Sequence, residues 1–483
     1  MNIVDPILAH AQTRPQAAAL VLIDGQAVTF GMLDTLVRRA AAFGLAQGLT
    51  AGSTVAMRIG GADEALGRIV ALGLARIGVA TCDPTVPPKH LTAALVAPGE
   101  SPPNVARRIP LDSSWLTGAE SLAPSHPGGD ALFRIFSTSG TTGVPRFCPV
   151  THTIMAARVA ASGHPIARTS FSPILLCALG LDGNWATRIV LATLTGGGTV
   201  VFSNAASLLR TLVEQRVTTL VTSPAVLQSV LGNMLPTQTV LPDLRAVVTG
   251  GSRLPDPLWR LATNRLCPEI LISFGASETS VVATGRYEQL AHVPQSVGLL
   301  EPGSAAQAVD ENHQPLPPGT EGIIRVRTPG DIAGYLDNPE ATATTFRDGW
   351  FYTGDIGAVT ADGHLVITGR AVEIINHGGM KISPRIIEDM LLSVPEIGQA
   401  AAFGVPDNQG VVQVWAAIVT NSPVDGDALQ RLCTARLGEL APKFIVQMPN
   451  LPRNANGKVM THVLVDAAKQ HYQSGAGAVN GPG

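Results

Sequence analysis

The chain has 483 residues, of which 33 are Lys or Arg and 36 are Asp or Glu, leaving a formal net charge of −3. That balance excludes a basic protein that binds nucleic acid by neutralising phosphates, and the 45% apolar content excludes general disorder. The length exceeds what one ordinary core fills and predicts two or more domains.

The first six residues carry neither a basic nor an apolar signal region, so no secretory signal is expected and a cytoplasmic location is. Runs at 20–23 and 55–58 read as strands. Residues 30–45 read as an amphipathic helix, with Leu33, Leu36, Ala40 and Phe43 at helical spacing. The richest apolar stretch, 65–82, is interrupted by Arg68 and Arg76 and reads as a buried helix and strand rather than a membrane span. From 130 to 300, strand-like runs at 174–177, 199–202, 219–222, 246–249 and 270–274 alternate with helical stretches such as 205–215. This is the pattern of a mainly parallel sheet with flanking helices. Turn signals then separate short strands over 300–368, which predicts antiparallel β structure. A smaller α+β unit follows residue 369, and the Gly/Ala/Pro-rich residues 474–483 are expected to form a disordered tail. Cys82, Cys148, Cys177, Cys267 and Cys433 are far apart and form no C-x-x-C, so neither a disulfide framework nor a zinc site is signalled.

Residues 137–146, STSGTTGVPR, follow an apolar run at 132–136 and precede a helix expected to start near Thr151. Glycines let a backbone approach phosphate closely, and hydroxyls with free N–H groups bind its oxygens. No Gly-Lys-Ser/Thr follows, so the loop is not a Walker A motif. Further along stand FGASET at 274–279, WFYTGD at 350–355, GRAVEIINHGGMKISPRIIED at 369–389 and PRNANGKVM at 452–460. GYLDNPEATATTF at 334–346 and VTGGSRLP at 248–255 lie between them.

Taken in order, these motifs resemble those of the adenylate-forming superfamily of AMP-dependent synthetases and ligases, closest in pattern to free-standing acyl-CoA synthetases. The resemblance runs to about residue 465. It implies an α/β protein with a large N-terminal adenylation domain, 1–369, made of two α/β subdomains plus a distorted β-barrel. A small mobile α+β lid domain, 370–473, would follow, with a hinge near Val372. By resemblance, Thr138, Ser139, Gly140, Thr141, Thr142, Gly143 and Arg146 bind ATP phosphates, and Thr142 also serves catalysis. Gly250, Gly251, Phe274, Gly275 and Ser277 surround the nucleotide. Glu278 holds Mg²⁺, a cation that prefers carboxylate and phosphate oxygens. Asp355 accepts from the ribose hydroxyls and Arg370 contacts ribose or phosphate. Lys458 bridges the substrate carboxylate and the α-phosphate, where two meeting anions need a mobile cation. Gly379, beside Gly378, lines a tunnel for the acceptor thiol. Ser383 reads as a helix N-cap, with Pro384 in the first turn.

The resemblance implies activation of a small carboxylic acid to an acyl-adenylate with release of pyrophosphate, then transfer to coenzyme A. A separate acyl carrier protein bearing phosphopantetheine, or an amine, is the alternative acceptor, and a non-catalytic nucleotide-binding homologue is a third reading. No nucleic-acid or membrane partner is expected, and a homodimer is left open. Two positions depart from the family pattern. Arg146 replaces a lysine, in a chain with five lysines and 28 arginines, and Val372 replaces the usual Asp or Lys of the hinge. The acid pocket is expected from 172–188, 222–231 and 248–274, with Asp182, Trp185, Gly251 and Ala276 against the acid and Phe171 nearby. If Asp182 faces the pocket, an amino acid or aminobenzoate fits; otherwise a small aryl or medium aliphatic acid does.

Overall fold

The computed structural model describes residues 1–59, 64–85, 87–99, 105–120, 128–138, 145–167, 173–180, 182–234, 240–252, 254–290, 292–371, 375–377, 380–406, 412–453 and 459–473. Strands at Ile174–Cys177 and Thr219–Thr222 have the expected bounds, because each is a short apolar run between turn residues. The helix expected at 205–215 is shorter, Leu208–Glu214. Ahead of it Asn204 accepts from the Ser207 amide and hydroxyl, both at 2.9 Å, a side-chain turn that competes with helix.

A six-stranded sheet carries the start of the large domain. Its strands Arg108–Pro110, Ala93–Val96, Thr54–Ala56, Ala80–Cys82 and Leu132–Thr138 are parallel, and Arg146–Thr151 returns antiparallel at the edge. That last strand is a departure from expectation, since the phosphate loop joins two strands of a hairpin before the helix His152–Ala167 begins. Thr138 and Arg146 are register partners at its mouth.

A second, 14-stranded sheet runs parallel through Thr199–Val201, Ile174–Cys177, Thr219–Thr222, Ala246–Gly250 and Ile270–Gly275. It then continues antiparallel through Val281–Arg286, Ser296–Leu300, His364–Arg370, Trp350–Val359, Gly322–Arg327 and Ala305–Val309. The region expected as a distorted barrel is thus an open extension of this sheet, and among the described residues no pairing closes it. One apolar core joins both sheets, with Val55 and Phe136 from the first, Leu175 and Val248 from the second, and Val190 and Leu194 from the helix Asn184–Thr195. That helix is buried on nearly every side, as its apolar sequence requires.

The small domain has a three-stranded sheet of Ile397–Pro406, Val412–Thr420 and Phe444–Gln447. Alternation of side chains builds a core on each face. Ala416 and Ile418 pack with Ile387 and Leu429 on one face. Trp415 and Ala417 pack with Phe403 and Leu464 on the other. Ser383 stands at the N-cap of Pro384–Leu392 but makes no side-chain cap bond. Its hydroxyl donates to the Thr368 carbonyl at 3.0 Å, and Arg385 donates to the Ile367 carbonyl, so the small domain holds the last strand of the large one. No described helix is long and apolar enough to cross a membrane.

Candidate active site

A cleft of about 2430 Å³ opens where the parallel strands of the large sheet end and the small domain faces them. Ligand sites of open α/β sheets lie at the carboxyl ends of the strands. Ala246–Gly250 and Ile270–Gly275 both end there, delivering Gly250 and Gly251 from one strand and Phe274, Gly275, Ala276, Ser277 and Glu278 from the next. A Cβ on Gly250 would stand 2.5 Å from the Ser273 carbonyl oxygen and 2.9 Å from the Trp185 ring, and Gly251 has φ +80°. Only glycine fits this turn, because the backbone passes close to Trp185 and then enters the left-handed region.

Glu278 is buried, and its carboxylate accepts from the Tyr335 hydroxyl at 2.8 Å. Arg146 lies over the Tyr335 ring, 5.2 Å from its centroid, and its guanidinium reaches the Thr345 hydroxyl at 3.4 Å. Burial, and then the charge of Glu278, push the Tyr335 hydroxyl well above its ordinary value, so it stays a donor. The arginine in place of the family lysine therefore has a structural use here, since a planar guanidinium stacks on an aromatic face as an ammonium does not.

Arg158, from the middle of the helix His152–Ala167, supports the Glu278 turn from below. It donates to the Gly330 carbonyl at 2.7 Å, the Asn184 side chain at 2.8 Å and the Ser277 carbonyl at 3.1 Å. Burial lowers its pKa to about 10, with Asp331 and Glu278 among the charges that oppose the shift. Burial likewise raises Asp331, whose carboxylate accepts from the Thr328 hydroxyl and amide.

On the antiparallel side, Asp355 is buried and pairs with Arg370, the Nε donating to Oδ1 at 2.8 Å. Thr138, Arg146, Trp185, Asp355 and Arg370 all line the same cleft as the Glu278 turn. Ser139, Gly140, Thr141, Thr142, Gly143, Phe171, Val372, Gly378, Gly379 and Lys458 lie outside the described residues.

Asp182 departs from expectation. It is not among the residues lining the cleft. Its Oδ1 accepts from the Ile59 amide at 2.9 Å and from Arg134 at 3.0 Å. Arg134 is fully buried and also donates to the Thr81 hydroxyl at 3.0 Å. Asp182 is thus the counter-charge of a core arginine at the join of the two sheets, a buried cation that needs an acid. Sequence reasoning gave no role to Tyr335, Arg158 or Arg188, although all three line or brace the cleft. For the two helical arginines the available signal was an arginine on the apolar phase of a helix, as with Arg158 beside Met155 and Val159.

Residues 94–336 match the AMP-binding enzyme family, and residues 386–458 match the AMP-binding enzyme C-terminal domain. "Probable CoA ligase CCL9" of Humulus lupulus is 30% identical over 391 residues, covering 78% of this chain and 73% of that protein. A feruloyl-CoA synthase of Amycolatopsis is 28% identical over 475 residues, covering 93% of this chain and 96% of its own. The crystal structure of ATP-bound MatB from Rhodopseudomonas palustris superposes with a TM-score of 0.84 at 24% identity, over 98% of this chain and 100% of that one. With both domains matched, the chain belongs to the AMP-binding enzymes of the adenylate-forming superfamily.

Proposed function

We propose that this protein is an AMP-forming acid–thiol ligase of the cytoplasm. It activates a small carboxylic acid with ATP to an acyl-adenylate, releases pyrophosphate and passes the acyl group to coenzyme A. The observation that carries the reading is the convergence on one cleft of the Tyr335-held Glu278 and the Asp355–Arg370 pair. Both relatives described above have CoA in their names, which supports coenzyme A as acceptor.

In this reading Asp355 accepts from the ribose hydroxyls, as a carboxylate suits a vicinal diol. Arg370 fixes that carboxylate. Phe274 packs against the base, with Gly250 and Gly251 leaving room for it. Thr138 and Arg146, at the mouth of the hairpin, flank the phosphate-binding residues 139–144. Glu278 offers a hard oxygen donor to the cleft, and a single carboxylate fits Mg²⁺, which takes its other ligands from phosphate and water. When bound, the ion neutralises phosphate charge. Lys458 joins the acid's carboxylate to the α-phosphate and stabilises the charge that builds as the carboxylate oxygen displaces pyrophosphate. The small domain, residues 370–473, then turns about Val372 and brings Gly379 toward the acceptor thiol.

ATP–pyrophosphate exchange with single carboxylic acids, followed by addition of coenzyme A, tests the reading. Exchange with at least one acid, and thioester formation after CoA is added, are expected. Exchange without thioester removes coenzyme A as acceptor and leaves a carrier protein or an amine. No exchange with any acid sinks the ligase reading.

A further inference from the structure

One charged group in the cleft has no task in this scheme. Arg188 lies one turn into the helix Asn184–Thr195, is 4% exposed and lines the cleft. Among the described residues it forms no hydrogen bond or ion pair, and its Nε is wholly covered. The contrast with its neighbours is sharp, since Arg134 has Asp182 and Arg158 has three acceptors. A desolvated guanidinium without a partner is costly, and one held in a cleft is a candidate to receive an anionic ligand. Burial first, and then the like charge of Arg158, push its pKa down to about 9, the sense expected of a cation lacking a counter-charge.

The surroundings favour the same kind of ligand. The helix begins at Gly183, which has no side chain with which to cap its first amides. Gly183, Asn184 and Trp185 line the cleft beside Arg188. The N-terminal end of a helix carries partial positive charge, which adds to that of the arginine.

We propose that the acid activated here carries a second anionic group, a carboxylate or comparable oxyanion, and that Arg188 receives it through its fork of N–H donors. This assignment rests on the ligase reading. It makes Arg188 the residue that selects diacids over monoacids.

The test compares kcat/KM for ATP–pyrophosphate exchange in shape-matched pairs: succinate with butyrate, glutarate with valerate, phthalate with 2-methylbenzoate. In the native protein the diacid of at least one pair is expected to lead by at least about 100-fold, a floor beneath the roughly 10⁴–10⁵ by which a site built to bond a polar group rejects the analogue lacking it. Arg188→Leu is expected to erase that lead while the matching monoacid keeps or gains rate and the KM for ATP is unchanged. Its thermal midpoint should hold or rise, because an unpaired buried charge is gone. Arg188→Lys, a point charge without the fork, should retain part of the preference. Equal or better use of the monoacid in every pair by the native protein overturns the assignment, whatever the variants do. An equal loss for both members of a pair in Arg188→Leu overturns it as well, placing the arginine at the reacting carboxylate. Both results leave the ligase reading standing, whereas absence of exchange with every acid removes that reading and this inference together.

Discussion

Asp355 and Arg370 are Cα register partners on antiparallel strands, and the arginine Nε donates to the aspartate Oδ1 at 2.8 Å. The pairing leaves the second carboxylate oxygen for a ligand and fixes its direction before any ligand binds. Preorganisation of this kind lowers the ordering cost of binding.

Asp355→Asn keeps the shape of the side chain but loses the ion pair and the charged acceptor. A hydrogen bond to a charged group contributes about 1.5–3 kcal/mol, so kcat/KM for ATP is expected to fall about 10- to 100-fold. Exchange kinetics at varied ATP read this directly, and an unchanged value would remove Asp355 from the nucleotide site.

Tyr335→Phe takes away the donor to Glu278 and leaves a buried carboxylate oxygen unmatched. A stability loss of about 1–3 kcal/mol is expected, together with a shift of the Mg²⁺ requirement to higher concentration. Arg146→Lys loses the stacking on the same ring. A double-mutant cycle of Arg146→Met with Tyr335→Leu, which removes the cation and the ring in turn, should give a coupling of about 0.5–1 kcal/mol, measured by denaturant unfolding.

Asp182→Ala strands the Arg134 guanidinium in the core. Unfolding free energy is expected to drop by about 3–5 kcal/mol, as for other broken buried pairs. Replacing both partners, Arg134→Met with Asp182→Leu, should recover most of it. Acid preference in any active variant should stay that of the native protein, and a selective loss of amine-bearing acids would return Asp182 to the pocket.

Burial pushes the Cys82 thiol up to about 12 and those of Cys267 and Cys433 to about 11, from an ordinary value of 9.0. These thiols hold their protons longer when folded than when unfolded. Their contribution to stability is therefore full below about pH 9 and is lost as pH rises toward 11 to 12. At pH 8 little thiolate exists in the native state, and alkylation followed by mass spectrometry should leave these three unmodified for as long as the fold holds. Rapid labelling of any of them would show that the core opens more readily than its packing implies.

Much of the fold, and the gathering of several candidate residues on one cleft, could be read from the sequence where a motif follows a strand. Phe274 to Glu278 are such a case, whereas Asp355 stands inside the strand Trp350–Val359. The strand Arg146–Thr151 was hidden by Pro149, which argues against a strand in mid-sheet, yet this strand is at the edge, where a proline costs no ladder bond. The fate of each arginine was also hidden. Whether Arg134, Arg158 or Arg188 is paired depends on residues brought close only by folding, and nothing local separates the paired two from Arg188.

The hydroxyl of Ser383 donates to Thr368 across the domain junction while standing where it could instead accept from the first turn of its own helix. Turning the small domain away from the large one breaks the first bond and frees the oxygen for the second. The exchange is one bond for one, so this latch is nearly level in energy between its two settings. A level latch gives the domain no resting bias of its own at that point, so in the turn proposed above the bound reactants would set the direction.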